Sequence, residues 1–211
     1  LVDAKAYSVE AGDIRGLLPA RKPISHKGNY GKILIISGST GYKGAAFLAS
    51  EAAVRSGAGL VYLGVPENIY QITASKCVEA MPFPLPGDAG GRLSELSIPE
   101  IRRRMDSCDI CIVGPGLGRS EDITCIVKMI LQHSNVPVIL DADGINAAAE
   151  NIDVLDMASC PVIVTPHEGE FKRLGGDLSG DRIGSAAAFA KKHGCITVLK
   201  GHRSITAFPN E

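Results

Sequence analysis

The chain has 211 residues, enough for one domain, and 45% of them are hydrophobic but only 5% aromatic, with no Trp, so its core must be aliphatic. A net charge of −1 and a pI near 6.6 exclude the basic surface that a nucleic-acid binder needs. No apolar run approaches the ~20 residues of a membrane span, and neither a leader nor a lipidation motif is recognisable, so a cytoplasmic protein is expected.

Residues 1–31 read as polar and irregular: Pro19 and Pro23 break any helix, and Ser25-His26-Lys27-Gly28-Asn29-Tyr30-Gly31 reads as a loop. Ile33–Ile36 is a short apolar run bounded by glycines, which is the signature of a buried strand. It runs into Gly38-Ser39-Thr40-Gly41-Tyr42-Lys43-Gly44, whose spacing is not that of a Walker A loop. A helix is expected from about Ala45, with Ala45, Leu48, Ala49, Ala52 and Ala53 on its inner face, closed by Gly57 and Gly59. Leu60–Val65 is the next strand, stopped by Pro66.

Residues 76–99 carry several prolines and glycines without a period and are expected to be a loop excursion, while 94–106 reads as helical. The Arg102–Arg104 run within it is expected to be a solvated face. Ile110–Val113 is an apolar strand feeding Gly114-Pro115-Gly116-Leu117-Gly118. A buried strand that runs into a glycine loop brings backbone close to a phosphate or ring; the plainer alternative is a tight turn that uses glycine for positive φ. Cys108 and Cys111 have CxxC spacing, yet Cys111 lies inside the strand and no second pair follows, so reduced buried thiols are expected rather than a metal or redox site.

Ile123, Ile126, Val127, Ile130 and Leu131 recur at the spacing of an amphipathic helix. Pro137–Leu140 is a strand ending in Asp141-Ala142-Asp143-Gly144-Ile145-Asn146, where the two acids could hold Mg²⁺ or orient a hydroxyl, or Asp143 could cap the next helix. Pro161–Val164 is a strand ending in Thr165-Pro166-His167-Glu168-Gly169-Glu170, where Glu170 could serve the helix dipole or support a phosphate-bound metal. Ser179–His193 reads as a helix with Ile183, Ala186, Ala187 and Ala190 inward, and Ile196–Leu199 as the last strand. Lys200-Gly201 then places a cation and open backbone at that strand's end, which suits a nucleotide phosphate.

Continuous rather than alternating apolar strands imply burial on both faces, hence an α/β fold with a mostly parallel sheet and helices on each side. Ligands of such sheets sit beyond the carboxyl ends of the strands, and every loop singled out above falls at such an end.

Taken together and in order, His26-Lys27-Gly28, Gly38-Ser39 with Gly44-Ala45-Ala46, Gly57-Ala58-Gly59-Leu60-Val61, Gly114–Gly118, Asp141–Asn146, Thr165–Glu170 and Leu199-Lys200-Gly201 resemble the ADP/ATP-dependent NAD(P)H-hydrate dehydratases, a family of ribokinase-like fold. The resemblance runs from about Leu17 to Ser204. It implies a metabolite-repair lyase that converts the S-form of NADHX or NADPHX back to NADH or NADPH, with ADP or ATP as phosphoryl donor and Mg²⁺. By matching position, Ala45, Gly118 and His167 would contact the hydrate, and Lys200, Gly201, His202, Arg203 and Ser204 would line the nucleotide. His167 is like the branch of the family that favours ADP, and Glu168 stands where many members have Pro.

The family's catalytic base is the Asp of a later GxGD motif, and these 211 residues contain no GxGD. With Leu at residue 1 and the chain ending at Glu211, the expectation is a single incomplete domain, residues 1–211, inactive as it stands. The resemblance also implies a homo-oligomer and is compatible with a fused or partner epimerase domain. The competing readings are a vitamin or sugar kinase of the same fold, and a non-catalytic nucleotide-binding subunit that lacks the base.

Overall fold

The computed structural model describes residues 6–18 and 20–210. Its eight strands are β1 (Lys32–Ile36), β2 (Leu60–Pro66), β3 (Met81–Leu85), β4 (Ile110–Val113), β5 (Val138–Leu140), β6 (Val162–Val164), β7 (Ile196–Leu199) and β8 (Ile205–Ala207). They form one sheet in the order β3-β2-β1-β4-β5-β6-β7-β8. Every pairing is parallel except β7 with β8. The helices are α1 (Ala11–Leu17), α2 (Lys43–Arg55), α3 (Glu67–Ala74), α4 (Ile98–Met105), α5 (Glu121–His133), α6 (Asp143–Glu150), α7 (Asp153–Asp156), α8 (Glu168–Arg173) and α9 (Arg182–His193).

The apolar runs are strands because both faces of the sheet are covered. Along β1, Leu34 and Ile36 join one buried cluster and Ile35 joins the other. The first cluster packs β1, β4, β5 and β6 against α5 and its neighbours through Ile123, Ile126, Val127, Ile130 and Leu131, the five positions that the helical spacing singles out. Ser120 caps this helix by accepting a hydrogen bond from the Ile123 amide at 3.3 Å. The second cluster packs β1 and β2 against α2 and α3 through Ala46, Ala53 and Ile69.

The face of α2 differs from the expectation. Ala46, Ser50 and Ala53 are buried, whereas Leu48 is 66% exposed, so the stripe is rotated by one residue from the predicted one. Small side chains, not the largest one, face the sheet there, because they let helix and sheet approach. Likewise Ile183 of α9 is 38% exposed, and Phe189 is buried instead, tilted against Phe171 at 5.1 Å between ring centroids.

Two strands went unforeseen. β3 lies within the segment expected to be a loop; Pro82 and Pro84 hide its pattern, yet they are tolerated because β3 is an edge strand that need not donate to an outer neighbour. β8 is a short antiparallel edge beyond the strand expected to be last. The predicted irregular N-terminal region contains α1, which ends at Leu17, and a 3₁₀ turn at Lys27–Tyr30; Pro19 lies outside the described residues. Arg103 pairs with Glu100 in solvent, but Arg104 lies over the Phe83 ring at 3.6 Å, so the arginine run is only partly a solvated face. All six cysteines are free thiols, with Cys111 wholly buried in β4, where desolvation pushes its thiol well above the ordinary range, and Cys125 exposed. Among the described residues no helix is long and apolar enough to cross a membrane.

Candidate active site

The strand order reverses at the centre of the sheet: the chain steps outward from β1 to β2 and β3, then returns to place β4 on the other side of β1. In open α/β sheets the carboxyl ends of the strands at such a reversal are where ligands bind. The loops that follow β1 and β4 are the glycine-rich motifs Gly38–Gly44 and Gly114–Gly118.

These two loops meet in direct contact. The Gly38 amide donates to the Pro115 carbonyl at 2.9 Å, the Ser37 hydroxyl donates to the same oxygen at 2.5 Å, and the Ser39 hydroxyl donates to the Gly116 carbonyl at 2.8 Å. A Cβ on Gly116 would lie 2.8 Å from Tyr42 Cβ and 2.9 Å from Ala45 Cβ, so glycine is required for the loop to lie on the first turn of α2. Ala45 is therefore beside the GPGLG loop, as its assignment to one site requires. On the outer side, the Arg92 stem packs on Gly118, and its Nη1 donates to the Arg119 carbonyl at 2.8 Å. Arg92 is itself held by Asp88, at 2.9 Å through Nε. The Arg92 amide is the main reason that the Asp88 carboxyl lies below the usual carboxylate range.

The Asp141–Asn146 motif meets the GPGLG loop from the other side. A side chain on Gly114, at φ +133°, would collide with the Asp141 carbonyl, and one on Gly144 would lie 2.5 Å from the Val113 carbonyl. Ala142 has φ +49° and ψ −114°, the corner that a type II′ turn reserves for glycine, and the Gly144 amide closes the turn on the Asp141 carbonyl at 2.9 Å. The turn sends its two acids to different partners. Asp143 accepts from the Gly118 amide at 2.9 Å and from Asn146 Nδ2 at 3.1 Å. Asn146 in turn accepts from Arg173 Nε of α8 at 2.8 Å. Asp141 Oδ1 accepts from the Thr165 hydroxyl at 2.7 Å and faces Lys200 Nζ at 2.8 Å. The two carboxylates thus brace separate loops and do not converge on one metal position. Asp143 opens α6 as its first residue, one position after the cap that a plain capping role would give it.

His167 caps α8: its Nδ1 accepts from the amides of Gly169 at 2.9 Å and Glu170 at 3.3 Å, while Glu170 Oε2 accepts from the His167 amide at 2.9 Å. The imidazole remains about half exposed, but Glu170 is buried, 5% exposed, with Lys200 Nζ at 4.0 Å from its carboxylate. The Lys200 amide donates to the Pro166 carbonyl at 2.8 Å. Hydrogen bonds thus link the loops after β1, β4, β5, β6 and β7 into one rim, with Ala45, Gly118, His167 and Lys200 on it. Gly201 to Ser204 continue from Lys200 as an exposed loop between β7 and β8.

Sequence reasoning did not single out Arg92, Arg173 or Arg182 as parts of this rim. Arg92 had a local signal, since it lies four residues after Asp88 in a glycine turn. Arg173 and Arg182 had none, because their partners are distant in sequence.

Comparisons with known proteins agree with this architecture. Residues 33–211 match the family model described as NAD(P)H-hydrate dehydratase. The chain is 38% identical over 200 residues to the bifunctional NAD(P)H-hydrate repair enzyme Nnr of Moorella thermoacetica, covering 93% of this chain and 38% of that protein. It is 31% identical over 210 residues to the protein of that name from Escherichia coli, covering 97% and 38%. The chain therefore spans well under half the length of these curated relatives. Among solved structures, the ADP/ATP-dependent NAD(P)H-hydrate dehydratase of Bacillus subtilis co-crystallised with ATP/Mg²⁺ superposes with a TM-score of 0.75 and 31% identity, over 94% of this chain and 68% of that one. A ribokinase-like superfamily protein of Enterococcus faecalis superposes with a TM-score of 0.77 and 26% identity, over 90% and 64%. With a ribokinase-like sheet, a rim built from the ordered motifs, and a family model that covers all of it from β1 onward, the chain belongs to the NAD(P)H-hydrate dehydratase family.

Proposed function

We propose that this chain forms the larger part of the site of a nucleotide-dependent dehydratase that restores NADH or NADPH from its S-hydrate with ADP or ATP as phosphoryl donor. The observation that carries this reading is the single hydrogen-bonded rim at the carboxyl ends of the strands, which joins the loops of Ala45, Gly118 and His167 to a lysine at the end of β7. Ala45 and Gly118 present small surfaces and backbone on which a flat ring can lie, and His167 supplies an imidazole edge. Lys200 to Ser204 line the nucleotide.

The chemistry has two steps. The ring hydroxyl attacks the terminal phosphoryl group, forming a carbon–oxygen–phosphorus ester and releasing a nucleotide shorter by one phosphate. The ring nitrogen lone pair then expels phosphate as the carbon–oxygen bond breaks, and loss of a ring proton restores the reduced nicotinamide. Hydroxide is a poor leaving group and phosphate a good one, which is why a nucleotide is consumed. The protein's part is orientation and stabilisation of charge on the transferring group. Lys200 is suited to that task, because Asp141 and Glu170 hold its ammonium at the rim.

Among the described residues no three metal-ligating side chains converge, so a fully protein-built Mg²⁺ cage is absent there. Mg²⁺ carried on nucleotide phosphates needs only one or two carboxylates, and Glu170 and Asp141 are the acids at that edge. When bound, it would neutralise phosphate charge. The family's GxGD aspartate, which takes the hydroxyl proton, has no counterpart in the 211 residues. A cytoplasmic location, self-association and an epimerase partner belong to the same proposal.

The test follows the reappearance of reduced-nicotinamide absorbance from hydrated NADH or NADPH with Mg²⁺ and ADP or ATP. It is run on this chain and on one extended to the natural C-terminus. Recovery in the extended protein supports the dehydratase. A folded extended protein that binds ATP but yields no absorbance, and instead phosphorylates a small alcohol, would establish the kinase.

A further inference from the structure

We propose that Arg182 is a positioning residue for the nucleotide half of the site, setting the shape of the Lys200–Ser204 loop and tying it to the loop that carries His167. The inference rests on the functional reading above.

Arg182 is the first residue of α9, and its backbone is fixed there because Asp181 caps the helix, accepting from the Gly184 amide at 2.8 Å. Its guanidinium reaches both ends of the β7–β8 loop: Nη2 donates to the Lys200 carbonyl at 3.2 Å and Nη1 to the Arg203 carbonyl at 3.3 Å. Nε lies 3.3 Å from Glu168 Oε1, next in sequence to His167. One guanidinium thus hydrogen-bonds both ends of one loop, while its buried Nε makes an ion contact without hydrogen-bond geometry to the first residue of α8; the single ammonium of Lys cannot span the two carbonyls in this way.

Gly201 supplies an independent observation. A Cβ at this position would strike the guanidinium of Arg182, so the glycine leaves room for the arginine to lie flat on the loop. Residues 201–204 are exposed and have no strand or helix of their own. Among the described residues the side-chain hydrogen bonds to the carbonyls of this loop come from Arg182. A loop that must present backbone and side chains to a nucleotide in one conformation, yet is exposed, depends on such an outside brace.

The experiment measures ATP affinity with Mg²⁺ by calorimetry on the protein extended to its natural C-terminus, alongside thermal unfolding. Arg182→Ala should weaken ATP binding about tenfold, the equivalent of one lost net hydrogen bond to a charged group. Arg182→Lys should recover only part of that loss. Gly201→Ala should weaken binding through displacement of the guanidinium, and combining it with Arg182→Ala should add little, since both remove one contact. In turnover the nucleotide KM should rise more than kcat falls. If Arg182→Ala lowers the unfolding temperature but binds ATP as wild type does, the positioning role is overturned while the dehydratase reading stands. Wild-type protein that binds neither ADP nor ATP overturns both.

Discussion

Between β4 and β5 the rim is joined backbone to backbone: Gly114 lies against the Asp141 carbonyl, Gly144 against Val113, and Asp143 reaches across to the Gly118 amide. Beyond β7 the rim is an exposed loop spanned by the guanidinium of Arg182. At Gly114 and Gly144 the proposed hydrate side has no room to move, because an added atom there meets main chain. The proposed nucleotide side can move, because the atoms around it belong to the flexible end of a side chain. A ring that must be held against backbone favours the first construction, and a donor that must enter and leave favours the second.

The comparison breaks most decisively at Gly114. Gly114→Ala puts a methyl group into a main-chain carbonyl at a φ that L residues avoid, and should lower stability by about 4 kcal/mol, read as a shift in the urea midpoint. Gly201→Ala meets only the end of Arg182 and should change stability by less than about 0.5 kcal/mol. Equal losses at the two glycines would refute the contrast. Next in size is Asp143→Ala, which leaves the Gly118 amide without its acceptor. It should cost about 2 kcal/mol and speed hydrogen exchange at Gly118. Exchange unchanged at that amide would show that the GPGLG loop holds itself.

Ala142→Gly has the opposite sign. It relieves a strained alanine and loses some chain stiffness in the unfolded state, so a net gain of about 1 kcal/mol is expected from the difference of the two effects. A loss instead would place the strain elsewhere in the turn.

The smallest effect lies outside the rim and calibrates the others. Glu100 is held at about 2, chiefly by its hydrogen bond from Arg103, against an ordinary value of 4.5. A depressed carboxylate contributes stability that is fully present above 4.5 and is lost as pH falls toward 2. Glu100→Gln should therefore lower stability slightly in the neutral region, where the contribution is present, and flatten the acid limb, so that the two proteins converge as pH falls toward 2. Because the pair is largely solvated, the change is small beside that at Gly114.

Much of this was legible in the chain. The runs Ile33–Ile36, Ile110–Val113 and Ile196–Leu199 declare doubly covered strands through unbroken aliphatic side chains, and α5 declares its buried stripe through large residues at helical spacing. Legibility failed where packing rewarded smallness or where an edge relaxed the rules. The inner face of α2 is Ala46, Ser50 and Ala53, which carry no hydrophobic signal strong enough to compete with Leu48. β3 carries two prolines that only an edge position permits. In the site, the glycine and acid motifs stood out one by one, but the sequence held no sign that Asp141 and Asp143 point to different loops.

By itself, then, the amino-acid sequence determined the layered α/β character, the succession of loops at strand ends, and the family, because each of these is encoded in residues a few positions apart. The tertiary structure alone decided which loops touch. It reversed the strand order at β1 and β4 to join the Gly38–Gly44 and Gly114–Gly118 loops. It also brought Arg92, Arg173 and Arg182 to backbone and side chains 18 to 27 residues away. Those contacts depend on the direction of each crossover and on the space that a missing Cβ leaves, neither of which has a local signature in the chain.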